Sequence, residues 1–142
     1  MRYEARWIIE EQDGATRAHL RFRTCRYQKA FPSISLIFRN NPIWRVDIQA
    51  GDVCHPNPVW AGALGLPPLV CGTHCHTWED NRDHVARSTV WDLPARRALP
   101  EQMRRLPQVL PFMAENLNIE LTPDQRSFDT PYKRDLFDLD ES

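Results

Sequence analysis

The chain has 142 residues, 42% of them apolar and 26% charged, with 18 Lys and Arg against 19 Asp and Glu for a net charge of −1. Such a length and balance predict one globular domain with a real core, and argue against wholesale disorder and against a uniformly basic nucleic-acid binder. No apolar run approaches the roughly 20 residues that span a bilayer, and the acidic N-terminus M-R-Y-E-A-R-W-I-I-E-E lacks a signal peptide's apolar core, so a cytoplasmic protein with no membrane partner is expected.

Residues 3–10 alternate Tyr3, Ala5, Trp7 and Ile9 with Glu4, Arg6, Ile8 and Glu10, the period of a half-buried strand. Asp13-Gly14 is a hairpin turn signal. Residues 15–24 form the return strand, with Ala18, Leu20 and Phe22 on one face and Arg17, His19, Arg21 and Arg23 on the other. After a connection ending at Phe31-Pro32, Ser33 to Arg39 reads as a third strand. Asn40-Asn41-Pro42 reads as a tight turn. Ile43 to Gln49 is the fourth strand, with Trp44, Val46 and Ile48 toward the core and Arg45 and Asp47 on the opposite face. Short turns between these strands predict an antiparallel meander.

Residues 50–69 are rich in Pro and Gly and read as a long, functional loop that carries Cys54, His55 and Asn57. Leu69 to Trp78 reads as a fifth strand and Asp80 to Asp83 as a turn. Val85 to Asp92 reads as a short sixth strand or an irregular return. From Pro94 to Leu121 the pattern is helical, interrupted by Pro107 and Pro111, so a broken or kinked helix is expected, with Leu110, Met113 and Leu117 on one stripe. Residues 122–142 read as an extended acidic tail, with Phe128, Tyr132, Leu136 and Phe137 as docking points. The expected architecture is α+β: a single domain over 1–121, built on one five- or six-stranded, mainly antiparallel sheet with a Pro-broken C-terminal helix on one face.

Charge is uneven along the chain. Residues 1–45 hold nine Lys or Arg against four acids, and residues 124–142 hold three against six. A basic sheet with an acidic tail suits an anionic ligand screened by its own C-terminus; ordinary solvated surface gives the same count.

The chemistry concentrates between Cys54 and His84, which bracket His55, Cys71, His74, Cys75 and His76. In a cytosolic setting the four cysteines are expected as free thiols or ligands rather than disulfides. Three readings fit. In a metal site, zinc takes His55, His74 and His76, with Asp47, Cys54, Cys71 and Cys75 as further candidates. On a regular strand His74 and His76 share a face and the cysteines share the other, so a mixed site needs an irregular strand, for which Gly72 leaves room. In metal-free acid–base chemistry, His74 or His76 removes the 2′-hydroxyl proton of RNA as base and His55 protonates the leaving oxygen as acid. Arg45 would clamp the phosphate, Asp47 orient a histidine, and His55 and Asn57 close over the site. Arg17, Arg21, Arg23, Trp78 and Arg82 would contact substrate. In the third reading the cysteines are core hydrophobes, the histidines are hydrogen-bonded surface residues, and the protein binds a partner without catalysis.

R-V-D at 45–47, H-P-N-P at 55–58, H-C-H-T-W at 74–78, Arg82 and Val85-Ala86 together resemble a small bacterial family with R-x-D, H-x-N-P and H-x-H motifs, often linked to mobile elements or toxin–antitoxin-like loci. The resemblance covers roughly residues 43–87. It implies a site made of Arg45, Asp47, His55, Asn57, His74 and His76, with incidental cysteines, and a toxin-like ribonuclease with a cognate protein partner or inhibitor. The leading expectation is therefore a small phosphodiester hydrolase acting on RNA, with no cofactor required and zinc as the alternative.

Overall fold

The computed structural model describes residues 2–25 and 31–128. Four strands open the chain: β1 (Arg2–Ile9), β2 (Ala18–Cys25), β3 (Ser33–Phe38) and β4 (Asn41–Asp47). Each pairs antiparallel with the next, as the short turns predict. The β3–β4 turn falls at Arg39–Asn40, both at positive φ (50° and 69°), the backbone that a two-residue hairpin with the twist of its strands requires.

The segment expected as a long loop carries regular elements of its own. It contains β5 (Cys54–Pro56), a 3-10 turn over Val59–Leu64 and β6 (Leu69–Cys71), with β5 and β6 paired as a separate two-stranded ribbon. The fifth strand expected over 69–78 is thus two strands. Its second half, β7 (His74–His76), leaves the ribbon and pairs with β4 in the main sheet. Gly72 makes the break at φ 79°, a left-handed conformation that favours glycine, and its N–H donates to Val53 O at 2.8 Å.

The turn and strand expected over 80–92 give way to a helix, α1 (Trp78–Arg87). Thr77 caps it by accepting from the Asp80 N–H, and Glu79 and Asp80 lie in the first turn, where the helix dipole favours acids. The sixth strand is instead β8 (Arg97–Ala98), paired with β7. The main sheet therefore runs β1-β2-β3-β4-β7-β8, six strands with every neighbouring pair antiparallel.

The C-terminal helix α2 (Leu106–Leu117) begins only after a turn at Glu101–Gln102. Pro107 sits in its first turn, where the missing N–H costs nothing, and Pro111 lies within the helix. Gln108 Oε1 accepts from the N–H groups of Arg104 and Arg105, and Asn118, at φ 54°, closes the C-terminal end. Leu106, Val109, Leu110 and Met113 are fully buried and pack with Leu20, Phe22, Ile34, Trp44, Val46 and Cys75 from one sheet face. Burying each of the aliphatic and Phe side chains contributes about 1.5–3 kcal/mol, so this layer holds the sheet against α2.

Residues 122–128 are not extended tail. Thr122 caps a short helix, α3 (Pro123–Arg126), and Phe128 packs edge-on against Trp7 and Phe22 at 5.1 and 5.6 Å. The other expected docking points, Tyr132, Leu136 and Phe137, lie outside the described residues. No helix among the described residues is long and apolar enough to cross a membrane.

Candidate metal centre

The register of the sheet decides which side chains meet. Directly opposed residues of antiparallel strands project from the same face. One row across β2, β3, β4 and β7 is therefore Arg21, Ser35, Arg45 and His76, and the next is Arg23, Ser33, Asp47 and His74. The basic face of β2, the Arg45–Asp47 face of β4 and the two histidines form one continuous surface. It is the side opposite the apolar core, as the alternation of each strand predicts.

At its centre Asp47, His74 and His76 converge, their ligand atoms all within 4.8 Å of one another. Both imidazoles are 0% exposed, whereas the Asp47 side chain keeps 17% of its surface. Each ring is fixed from behind. His74 Nδ1 donates to Gly72 O at 2.8 Å, and His76 Nδ1 donates to Leu93 O at 2.5 Å. A carbonyl oxygen can only accept, so each Nδ1 carries the hydrogen, and in the neutral ring each Nε2 is left with a lone pair. Both lone pairs point at the same carboxylate oxygen: Asp47 Oδ2 is 3.2 Å from His74 Nε2 and 3.4 Å from His76 Nε2. Burial lowers the pKa of His76 and favours its neutral form, against the opposing pull of Asp47. Burial alone would raise the Asp47 pKa, but hydrogen bonding with the two histidines and the Arg45 charge hold the carboxyl well below the usual carboxylate range. In that tautomer the two Nε2 atoms and the carboxylate are all acceptors, so their contacts need either a proton on a ring or a cation between the three.

Arg45 supplies part of that charge. Its Nη2 donates to His76 Nε2 at 2.9 Å, and its Nε is 3.2 Å from Asp47 Oδ1. Arg96 stands near it: burial, followed by the charge of Arg45, lowers the Arg96 pKa, with Asp47 acting in the opposite sense. Nothing in the spacing of the sequence ties Arg96 to this site.

His55 reaches the site from the ribbon. Its ring meets the ring of His74 edge-on at 5.7 Å, outside the converging trio, and its Nε2 is buried without a hydrogen-bond partner. Asn57 is spent on the backbone: its Nδ2 donates to Pro67 O and Arg96 O, and its Oδ1 accepts from the Arg96 N–H. The buried Asn81 of α1 does the same to Ala95, donating to its carbonyl and accepting from its N–H. These two amides, with the Asp80–Arg97 ion pair at 2.9 Å, tie down the segment that carries Leu93 O. Asn81, Leu93 and Arg96 were not legible as site residues. The Thr-x-x-Asp spacing at 77–80 was the available signal, since it marks the start of the helix that presents Asn81.

The cysteines leave the site. Cys54 and Cys71, expected as free thiols or ligands, lie directly opposite each other in the ribbon and form a disulfide, with Cα atoms 3.9 Å apart. The correction follows from the ribbon itself, because antiparallel pairing of 54–56 with 69–71 brings the two side chains together. Cys75 is buried on the core face of the sheet, and burial and the Asp80 charge push its thiol up to about 11. Of the expected substrate contacts, Arg21 and Arg23 line an open groove of about 430 Å³ that reaches Arg45 and Asp47. Arg17 is held near the β1–β2 hairpin by Glu11 and Asp13. Trp78 stacks on Trp91 at 5.7 Å, and Arg82 is exposed on α1.

Comparison with known proteins returns no matching family model, no similar curated protein and no similar solved structure.

Proposed function

We propose that Asp47, His74 and His76 bind a divalent transition metal, zinc first, in a three-ligand site that leaves a position toward the groove for water or substrate. One observation carries this reading. Two imidazoles, each oriented by a backbone carbonyl behind it, aim their Nε2 atoms at one part-buried carboxylate. Metal-ligating histidines are oriented in this way. The spacing agrees as well. Zinc bonds of about 2.05 Å at the tetrahedral angle set ligand atoms about 3.3 Å apart. The two histidine-to-Asp47 separations are 3.2 and 3.4 Å, and all three ligand atoms lie within 4.8 Å of one another.

Such an ion would supply Lewis acidity, lowering the pKa of a bound water and polarising a substrate oxygen. The chain's own residues would do the rest. Gly72 and Leu93 hold the ligand rings, Asp47 balances the charge, and the ribbon with His55 walls the site. The class of reaction this supports is hydrolysis.

The second reading is the metal-free one, with His76 as base and Arg45 as phosphate clamp on RNA. The 2.9 Å contact between Arg45 and His76 favours it, because it gives the pair an internal cation. Full burial of both imidazoles weighs against it, since a ribose hydroxyl must reach Nε2 to lose its proton.

Titration of untagged, chelator-treated protein with zinc, followed calorimetrically, tests the proposal. One zinc per chain is expected, with binding lost in folded His74→Ala and His76→Ala proteins. A folded wild type that binds no zinc at tens of micromolar would remove the metal reading.

A further inference from the structure

Beside the trio the same sheet face carries the groove, and its lining is selective. Arg21 and Arg23 come from β2, Ser33 and Ser35 from β3, and Arg45 from β4. In the register Arg21 and Arg45 flank Ser35, two strand spacings or about 10 Å apart at the backbone, a gap that two long guanidinium side chains can close over a small anion. Arg23 stands two residues along β2, facing Ser33. Two acids also line the groove. Asp47 is committed to the trio, and Asp92 to His84 at 2.7 Å. Glu4 approaches Arg23 from β1, at 3.5 Å. Arg45 is shared between groove and trio, so an anion held there lies against the proposed ion. At the rim two aromatic rings stay open to solvent, Phe31 at 43% and Trp91 at 40% exposure.

We propose that this groove binds the phosphate group of a nucleoside phosphate ester. Arg21, Arg23 and Arg45 hold the phosphate, Ser35 lies on the floor beneath it, and Phe31 and the face of Trp91 not stacked on Trp78 are offered to the base. Planar guanidinium forks suit phosphate oxygens, and aromatic faces accept any base. The placement of the ester beside an ion rests on the metal reading; the anion site itself does not.

The test measures binding of inorganic phosphate, adenosine, adenosine 5′-monophosphate and a short single-stranded RNA to chelator-treated and zinc-loaded protein, wild type and the double variant Arg21→Gln/Arg23→Gln. The variant's fold is checked by circular dichroism and its zinc isotherm is recorded alongside. The nucleotide is expected to bind at least tenfold more tightly than phosphate or adenosine alone. The double variant should lose about tenfold or more in nucleotide affinity while keeping its zinc affinity. An RNA arm tighter than the mononucleotide, with a steeper salt dependence, identifies a polymer as the source of the ester. A wild type that binds neither phosphate nor nucleotide, or a folded double variant that binds the nucleotide as wild type does, overturns the proposal even if zinc binds. If zinc fails to bind while the nucleotide affinity still falls in the variant, the groove stands and the metal reading falls.

Discussion

Arg45 is the residue whose substitution separates a metal site from a self-contained ion-pair network. Its guanidinium now does part of a cation's work, at 2.9 Å from His76 Nε2 and 3.2 Å from Asp47 Oδ1. A metal needs the His76 lone pair, so it must displace that contact. At an effective dielectric of about 20, a pair 3.2 Å apart is worth about 5 kcal/mol. The Arg45 side chain is 38% exposed, and water screens much of this. The charged hydrogen bond that Arg45 Nη2 donates to His76 Nε2, worth about 1.5–3 kcal/mol, is the better figure, since Arg45 Nε makes no hydrogen bond to Asp47. Replacing Arg45 with Gln should therefore act in opposite directions on two measurements. The metal-free protein should lose about 1.5–3 kcal/mol of stability in urea, because Asp47 loses its counter-charge. Zinc should bind about tenfold or more tightly, because the competing cation is gone. Calorimetric zinc titration and urea unfolding of the same preparation read both. A zinc affinity that falls together with stability would refute the idea that Arg45 stands in for the ion.

Further expectations concern the frame around the site. The Cys54–Cys71 bridge closes a loop with a sequence separation of 17, which in the chain-entropy model contributes about 3 kcal/mol, so reduction should lower the urea midpoint and release two thiols in a denatured thiol assay. A protein whose thiol count and midpoint ignore reductant would contradict the bridge. Burial alone would raise the Asp80 pKa, but hydrogen bonding from Arg97 lowers it. A depressed carboxylate pKa contributes stability above the unfolded value near 4, and this is lost as pH falls through the folded value. The Asp80→Asn variant should thus be less stable than wild type at pH 7 by about 1–2 kcal/mol, with the gap closing below pH 4; a gap constant with pH would rule the ion pair out as its cause. Asn81→Ala removes the amide that pins Ala95 and should cost about 2–4 kcal/mol. Because the same segment carries the carbonyl behind His76, zinc affinity should also drop about 10–100-fold in the folded variant, and an unchanged isotherm would show that Leu93 is held by other means.

The meander and the placement of Arg45, Asp47, His74 and His76 on one face could be read from alternation alone. A period of two leaves little freedom when the other face is as apolar as Trp44, Val46 and Ile48. The stripe of Leu110 and Met113 was legible for the same reason, since both are fully buried against that face. The middle of the chain was not. Residues 69–78 look like one strand because Gly72 is the only sign of a break, and its positive φ is a property of the fold rather than of the local pattern. The mean apolarity of α1 is low and its buried residues are Asp80 and Asn81, so hydrophobic periodicity cannot find it; only the Thr77 cap marks its start. The disulfide was missed because pairing of 54–56 with 69–71 is a long-range contact across a Pro-rich segment.

The burial of the histidines bears on what the site is for. A hydrogen-bonded surface histidine keeps one nitrogen in water, and a general base must meet its substrate. Here neither imidazole is exposed, and each spends one nitrogen on a main-chain carbonyl. What remains is a pair of Nε2 atoms against a carboxylate, one of them already shared with Arg45, and the three repel one another unless a proton or a cation intervenes. Asp47, still 17% exposed and next to the groove, is the member through which a cation could enter and through which a held substrate could be reached. Asn57 and Asn81 fix the segment that follows Leu93 from two different elements, bonding to Arg96 and Ala95 rather than to the histidines themselves. A core that needed only filling would be cheaper with apolar side chains at 74 and 76, since a buried polar network is seldom more stable than its apolar replacement. The expenditure on orientation is therefore better explained by a ligand that the three side chains hold in common than by packing.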